Sequence, residues 1–586
     1  MAANLIVMLA ISWRKWADIW IDYGRELYTA WRLADGEPLY HSVDSMFGPL
    51  PSYLNAAVFK IFGPGVIQLA LWNTALVLLF SIFLYRFCLS ISNRAAAVLC
   101  VIAFHSIFAF SQYTFMGSLN FICPYSHSLT YGVMLALLSC FAICRYAETG
   151  RFAMLAGAGI LCGLAFLCKA ETFLPPLLSG LVALACRDIS ARHRARTLLL
   201  HQTLFLIFCA FPAAVAAGAL TLQMPLGTAI SGILLQYKAL IFSGIPDSYY
   251  GSVMGLENIR QNMAHIAMHF LGYLALAATG LAAARLYAKS GKNARLFLTL
   301  LFFALLAAIA STKAIFLIEW HNALRGLPLF LILLSGSALW KVIVKIRSRA
   351  GGYREIAMFT FSLFSILMLG KVFFNVWLGH YAFALAVPGT CLLIITLAHH
   401  IPGKSKPAET VILALILFCI AGFARNSAFV YGAKTYPVSA GEDLMYDYPP
   451  QHFTRGQTMN MALAYIARNL KVSESFATLP AGSMLNYLSR RPSPMKYVAL
   501  NVTETAYYGE KTINSALESA SPSHIFLINS PAFGISYGKD IMRGIFTGYR
   551  PIGILGTKKD GAFQANSSLI ILIRTTASDS AKGKKA

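Results

Sequence analysis

The chain has 586 residues, of which 57% are hydrophobic and 12% charged, about half the charge of a soluble domain, so most of it is not built for water. Its net charge of +24 does not point to nucleic acid, because the basic residues sit in short loops between apolar runs and no basic stripe is interleaved with aromatics. All eleven cysteines precede Arg425 and show no Cys-x-x-Cys or Cys/His ligand spacing. They read as buried small hydrophobes, with neither a disulfide framework nor a zinc site.

In chain order the first apolar stretch, Ala2 to Trp13, is about half the length a crossing requires. Trp13, Arg14, Lys15 and Trp16 follow it as an interfacial belt. So short a run points to a true start upstream of Met1, the alternative being a helix completed by the interfacial residues. A polar segment, 14–63, comes next and is broken at Pro49-Leu50-Pro51 and Gly63-Pro64-Gly65. Between the breaks, Tyr53, Leu54, Ala57, Val58 and Ile61 have the spacing of a short amphipathic helix lying in the membrane surface. From Pro64 to Ala424, apolar runs of about 20 residues recur, each long enough for a ~30 Å hydrocarbon core. We read spans near 64–86, 95–115, 128–146, 152–168, 170–186, 197–222, 265–288, 293–312, 326–346, 355–378, 380–399 and 407–424. No internal repeat, heptad run or cleavable signal is present.

Loop charge assigns the sides. Alternate connections are rich in Lys and Arg, from Arg86 and Arg94 through Arg187, Arg192, Arg194 and Arg196 to Lys404 and Lys406, whereas the intervening ones hold few. The basic set is cytoplasmic, as is the N-terminus. Segment 14–63, the other connections and everything after Arg425 then face outside, at the inner membrane of the cell. Nucleotide sugars and ATP are absent there, so chemistry on that face needs a lipid-carried donor.

After Arg425 the composition becomes ordinary. Helix patterns over 456–470, 509–519 and 537–546 alternate with strand patterns over 475–479, 496–500, 524–529, 551–555 and 569–574, a small α/β domain. The expected architecture is mainly α: a polytopic helical membrane protein of about 12–13 transmembrane helices with a C-terminal soluble α/β domain. Its parts are a membrane body over 1–424 with outside loop 14–63, a soluble extracytoplasmic domain over 425–575, and a disordered tail over 576–586.

The densest polar cluster is in the first outside loop: Asp22-Tyr23-Gly24-Arg25-Glu26, then Asp35-Gly36-Glu37-Pro38-Leu39-Tyr40, then Gly48-Pro49-Leu50-Pro51. Carboxylates beside a bilayer can serve as general bases, or simply hold a solvated turn. Lys169 falls at the outer end of its span, where it either binds a phosphate or snorkels as an anchor, and Glu171 can pair with it. Pro124-Tyr125-Ser126-His127 is a candidate cavity wall, and Glu319-Trp320-His321 either a sugar-binding group or an interface belt. His105 and His269 fall inside spans and read as packed residues. Lys371, inside an apolar run, is expensive in lipid and should face a cavity. Gly482 to Leu488 and Arg490-Arg491-Pro492 form a turn-rich knot, either a packing element or a glycan-recognition edge.

Asp22, Ala30 to Gly36, Pro38-Leu39-Tyr40, Gly48-Pro49 and Gly63 match, in order and spacing, the first outside loop of a known family. They resemble the integral-membrane C-type glycosyltransferases of family 39, the protein mannosyltransferase and lipid A aminoarabinose transferase kind. Gly163-Leu164-Ala165-Phe166-Leu167-Cys168-Lys169 is similar to a second motif of that family, and His380-Tyr381 with Pro388 to a third. The chain departs from it where Tyr23, not a second carboxylate, follows Asp22, which leaves the choice between Asp22 and Glu26 as base open. The resemblance implies transfer of a sugar from a polyprenyl-phosphate donor to a glycan, lipid or protein acceptor, with inversion. Asp22 and Glu26 are then the catalytic candidates. Lys169, Arg25 and Arg32 are donor-phosphate ligands, and His127, Glu171, Glu319, His380 and Tyr381 bind substrate. No cofactor is implied with certainty, and a divalent metal stays open. The rival is a secondary transporter or lipid flippase for a lipid-linked glycan, which should show repeated halves and interrupted spans in matching positions; none are found.

Overall fold

The computed structural model describes residues 1–20, 22–242, 247–349, 352–530, 532–556, 558–559, 562–563 and 565–575. The tail expected at 576–586 lies outside them. Among the described residues nine helices are long and apolar enough to cross a membrane, from Val66–Ile91 to Lys406–Gly432. The chain is a multi-pass membrane protein. The deeply enclosed helix His127–Thr149 packs against Phe152–Phe166, Ala170–Ser190 and Tyr353–Met368.

Three runs that the apolar pattern presents as full spans are shorter helices: Arg94–Ala109, Phe152–Phe166 and Tyr353–Met368. Two of these breaks matter for function. After Phe166 the chain leaves the helix through a tight turn, with the Cys168 and Lys169 amides both donating to the Ala165 carbonyl. After Met368 it passes into a single tight turn, Gly370–Val372. Non-helical backbone within a membrane protein needs a protein wall or a cavity beside it, and each break carries a lysine, Lys169 or Lys371. The last long helix continues through Arg425 to Gly432.

Beyond it lies the α/β domain. Its sheet contains β1 (Phe476–Leu479), β2 (His524–Ile528), β3 (Tyr549–Leu555) and β4 (Leu569–Arg574) in the order β1-β2-β4-β3. β1 and β2 run parallel, and β4 runs antiparallel to both its neighbours. Successive side chains of a strand point to opposite faces, and both faces here are apolar. Ala477, Leu479, Ile525, Leu527 and Leu572 pack on the helices Glu510–Ala520 and Lys539–Gly548. Phe476, Phe526, Ile528 and Ile571 join the main core with Met459, Ala462 and Ile466 of the helix Arg455–Asn469. The pattern over 496–500 forms no strand, only an isolated bridge from Ala499 to Ala481.

The domain is seated on the membrane body through segment 14–63. Arg455, almost fully buried, pairs with Asp18 at 3.1 Å and with Asp447 at 3.5 Å. Tyr487 stacks on Phe59 and meets Trp31 edge-on. The helix Asp22–Ala34 is thereby held between the bundle and the soluble domain.

Candidate active site

Residues three and four apart share a helix face, so Asp22, Arg25 and Glu26 project together from the first turn of the helix Asp22–Ala34. Their surroundings differ. Glu26 Oε2 accepts from His127 Nδ1 at 2.7 Å and from the His127 amide at 3.2 Å. The other ring nitrogen of His127 accepts from Asn73 at 2.9 Å, and the Tyr131 hydroxyl lies within hydrogen-bonding distance of both Asn73 and Asn55. An acceptor at Nε2 fixes the proton on Nδ1, facing the carboxylate. Burial opposes charge on Glu26, but the His127 hydrogen bonds and the Arg25 guanidinium outweigh it and hold the carboxyl below its ordinary value. Among the described residues no hydrogen bond or ion pair engages the Asp22 carboxylate. Burial, reinforced by Asp18, Glu504 and Glu26 against the pull of Arg25, pushes it up to about 6.

Lys169 caps the helix Ala170–Ser190, and its ammonium donates to the Tyr125 hydroxyl at 2.8 Å. Glu171, in the first turn, lies 3.5 Å from Lys169 and 2.6 Å from Lys371. Two cations thus share one carboxylate. Aromatic faces line them: Lys169 sits 4.6 Å from the Phe47 ring centre, and Lys371 4.8 Å from that of Tyr381. Phe47 also receives the Arg25 guanidinium at 5.3 Å. What places Phe47 there is its neighbour. The Gly48 amide donates to the Cys168 carbonyl, and a Cβ at Gly48 would stand 2.1 Å from the Leu167 carbonyl oxygen. Only glycine allows this loop to lie directly on the turn that carries Lys169.

These groups surround one cavity of about 400 Å³, lined by Asp22, Arg25, Phe47, Tyr125, Lys169, Glu171, Lys371 and Tyr381. Its remaining wall comes from the soluble domain, where Asn501 to Glu504 open the helix Val502–Tyr508. Glu504 pairs with Arg25 at 3.4 Å, and Tyr508 donates to Asp44 at 2.7 Å. Burial pushes the Asp44 carboxyl up to about 6 as well, although Tyr508 and Lys496 oppose it. An apolar groove of similar size, between the helices Ile259–Lys289, Lys292–Ser311 and Lys406–Gly432, lies apart from these carboxylates.

A divalent metal would need ligands that converge. Here Glu26 is committed to His127, Glu171 to two lysines and Glu504 to Arg25. The described residues whose ligand atoms do converge are Cys88, Cys100 and Cys391, and Asp188, His193 and His201; neither set lines the cavity. The residues around Asp22 do not fit a divalent metal as arranged.

Of the residues expected from sequence, Asp22, Arg25, Lys169, Glu171 and Tyr381 line the cavity, and Lys371 joins them. Glu26 and His127 stand behind, His127 fully buried and Tyr125 taking the place on the wall. His380 is buried beneath Tyr381, stacked at 4.3 Å. Two residues are not brought to the site. Arg32 is clamped at the far end of its helix by Asp35 at 2.9 Å and by Glu37, with its charge already matched. Glu319 is an exposed residue accepting from Asn322, while its neighbour Trp320 is buried against Phe423. Sequence reasoning missed Phe47 and Glu504. Phe47 was detectable as the residue presented by Gly48-Pro49, but nothing marks Glu504 in a soluble segment with ordinary charge.

Residues 46–215 match the family of dolichyl-phosphate-mannose-protein mannosyltransferases. The matched stretch contains Phe47, Tyr125, Lys169 and Glu171 and begins after the Asp22–Ala34 helix. Among solved structures, the oligosaccharyltransferase of Archaeoglobus fulgidus, in complex with zinc and sulfate, is similar over 98% of this chain and 75% of its own. The identity is 13% and the TM-score 0.50. This chain shares the fold of that oligosaccharyltransferase. The resemblance read from the motifs therefore holds. ArnT from Cupriavidus metallidurans, bound to undecaprenyl phosphate, is similar over 98% of both chains at 12% identity, with a TM-score of 0.34, too low to argue from. No curated protein matches the chain.

Proposed function

We propose that the chain transfers a sugar from a polyprenyl-phosphate donor to an acceptor hydroxyl at the extracytoplasmic face of the inner membrane, with inversion. The observation that carries this reading is the cavity in which the Asp22 carboxylate, unpaired among the described residues, shares its walls with two lysines that share the Glu171 carboxylate. An anionic phosphate is the natural third partner of such a lysine pair. As the acceptor oxygen attacks the anomeric carbon, Asp22 takes its proton and a new glycosidic bond forms. The bond from that carbon to the phosphate oxygen breaks, its electron pair stays on the phosphate, and Lys169 and Lys371 stabilise the growing charge. Attack from the side opposite the leaving phosphate inverts the centre. The family match supports a lipid-phosphate sugar as donor, and the basic loops on the other side of the bundle support the orientation.

The test is transfer by the purified protein from a panel of polyprenyl-phosphate sugars, with Lys169→Ala and Lys371→Ala beside the wild type. Both variants should weaken donor binding and slow transfer together, because the cations act in the ground and transition states alike. Absence of transfer from every such donor, or full activity in the doubly substituted protein, would reject the reading.

A further inference from the structure

A second sizeable cavity has no part in this chemistry. It is an apolar groove of about 480 Å³ between the helices Ile259–Lys289, Lys292–Ser311 and Lys406–Gly432, walled by Ala283, Leu286, Leu298, Phe302 and Val411, with Lys406 at its mouth. Its origin is local. Helices Ile259–Lys289 and Lys406–Gly432 cross in direct contact at Gly280, where a Cβ would stand 2.2 Å from Ile412 Cγ1. The groove lies on the side of that crossing toward Ser290-Gly291, between Ala283 to Tyr287 and Lys406 to Val411. The helix Lys292–Ser311 leans across the gap, its own surface almost wholly exposed. A concave apolar surface within the bilayer is filled by hydrocarbon, since water has no polar partners there.

The rim decides which lipid supplies that hydrocarbon. Lys289, Lys292, Arg295, Lys404 and Lys406 cluster in the stretches 289–295 and 404–409, at the ends of the same three helices, and Glu409 is the only acid among them. Glu409 is already engaged by Lys406 at 2.7 Å and Asn93 at 2.7 Å. Arg295 is pre-ordered by hydrogen bonds to the Ser290 and Ala288 carbonyls and by the ring of Tyr287, which lines the groove. Cationic rims over intramembrane grooves attract phosphate headgroups strongly, as each basic residue near an anionic surface adds to the binding.

We propose that this groove binds an anionic phospholipid from the leaflet on the side of the basic loops, with an acyl chain between the three helices and the phosphate on the rim. The site is separate from the cavity at Asp22 and does not depend on the sugar-transfer reading. Native mass spectrometry of the full-length protein in detergent tests it, titrating phosphatidylglycerol and phosphatidylcholine of identical acyl chains. Phosphatidylglycerol should be retained in preference by on the order of tenfold. The exposed substitutions Lys289→Gln, Lys292→Gln and Lys406→Gln together should bring it down to the phosphatidylcholine level. Ala283→Trp, which fills the groove and leaves the rim charge intact, should abolish retention of both lipids, with an unchanged thermal transition showing that the protein is folded. Equal retention of the two lipids by the wild type would overturn the proposal, as would full retention by Ala283→Trp. Displacement of phosphatidylglycerol from the wild type by equimolar polyprenyl phosphate would make the occupant a carrier lipid and overturn it too.

Discussion

Asp22 and Glu26 stand one helical turn apart, yet their surroundings drive their carboxyl groups in opposite directions. Glu26 is held ionised by His127 and Arg25, whereas Asp22 is pushed up to about 6 with no bonded partner among the described residues. Diverging environments of this kind separate a proton acceptor from a structural anion. Asp22→Asn should therefore lower single-turnover transfer by roughly 10²–10⁴-fold, the usual worth of a positioned base, and leave donor binding almost unchanged. In the wild type the rate should fall as pH drops through about 6, because the protonated carboxyl cannot accept. The linkage to stability has the opposite sense: a carboxyl raised above its unfolded value favours the fold when protonated, and that contribution disappears as pH rises through about 6. Asp22→Asn should consequently raise the thermal midpoint at pH 8 while abolishing the pH step in rate. Normal turnover in Asp22→Asn with a dead Glu26→Gln would transfer the role of base to Glu26. The sequence presents both carboxylates and does not choose between them, because the residue that distinguishes them, His127, lies 101 positions away.

At the scale of elements, apolar length made the long spans legible and placed the end of the 152–168 run within two residues of the break after Phe166, but it concealed the break after Met368, where apolar residues continue and the helix does not. The 496–500 segment fails for a related reason. Tyr497 and Leu500 are buried against the sheet's helices, so alternation arises from packing without strand pairing. The break after Phe166 also sets a prediction. In Gly48→Ala the new methyl meets the Leu167 carbonyl, so the 41–48 loop must lift and carry Phe47 away from Lys169. Misplacement on the order of 1 Å near reacting groups costs up to about 10²-fold in rate. Transfer by Gly48→Ala should fall within that range, with the wild-type oligomeric state and expression retained. Wild-type kinetics would show that the loop does not position the lysines.

On the scale of the whole molecule, the membrane body and the soluble domain build the site jointly. Arg455 reaches Asp18 across 437 positions and Arg25 reaches Glu504 across 479, separations that no single sequence reveals. The α/β class and most of its elements were legible from alternation and turn residues, but the seating of the domain on segment 14–63 was not. Orientation rests on loop charge alone and is open to direct measurement. A reporter of extracytoplasmic location fused after Gly432 should be active, and one inserted between Asp188 and Thr197 silent. Reversed signals would overturn the sidedness and, with it, the need for a lipid-carried donor.

The glutamate shared by Lys169 and Lys371 has a consequence for turnover under the proposed chemistry. The donor is a phosphodiester with one negative charge, but the spent carrier is a monoester that gains a second charge near pH ~6. Two ammonium groups hold the more highly charged species more tightly, and Glu171 weakens that hold by competing for both of them. Inhibition by polyprenyl phosphate should therefore deepen between pH 5.5 and 8, and deepen further in Glu171→Gln, where the internal competitor is gone. An inhibition constant that does not move with pH in either protein would mean that the lysine pair does not hold the departing phosphate. A carboxylate that contributes nothing to bond-making would in this way govern how quickly the enzyme frees itself of its product.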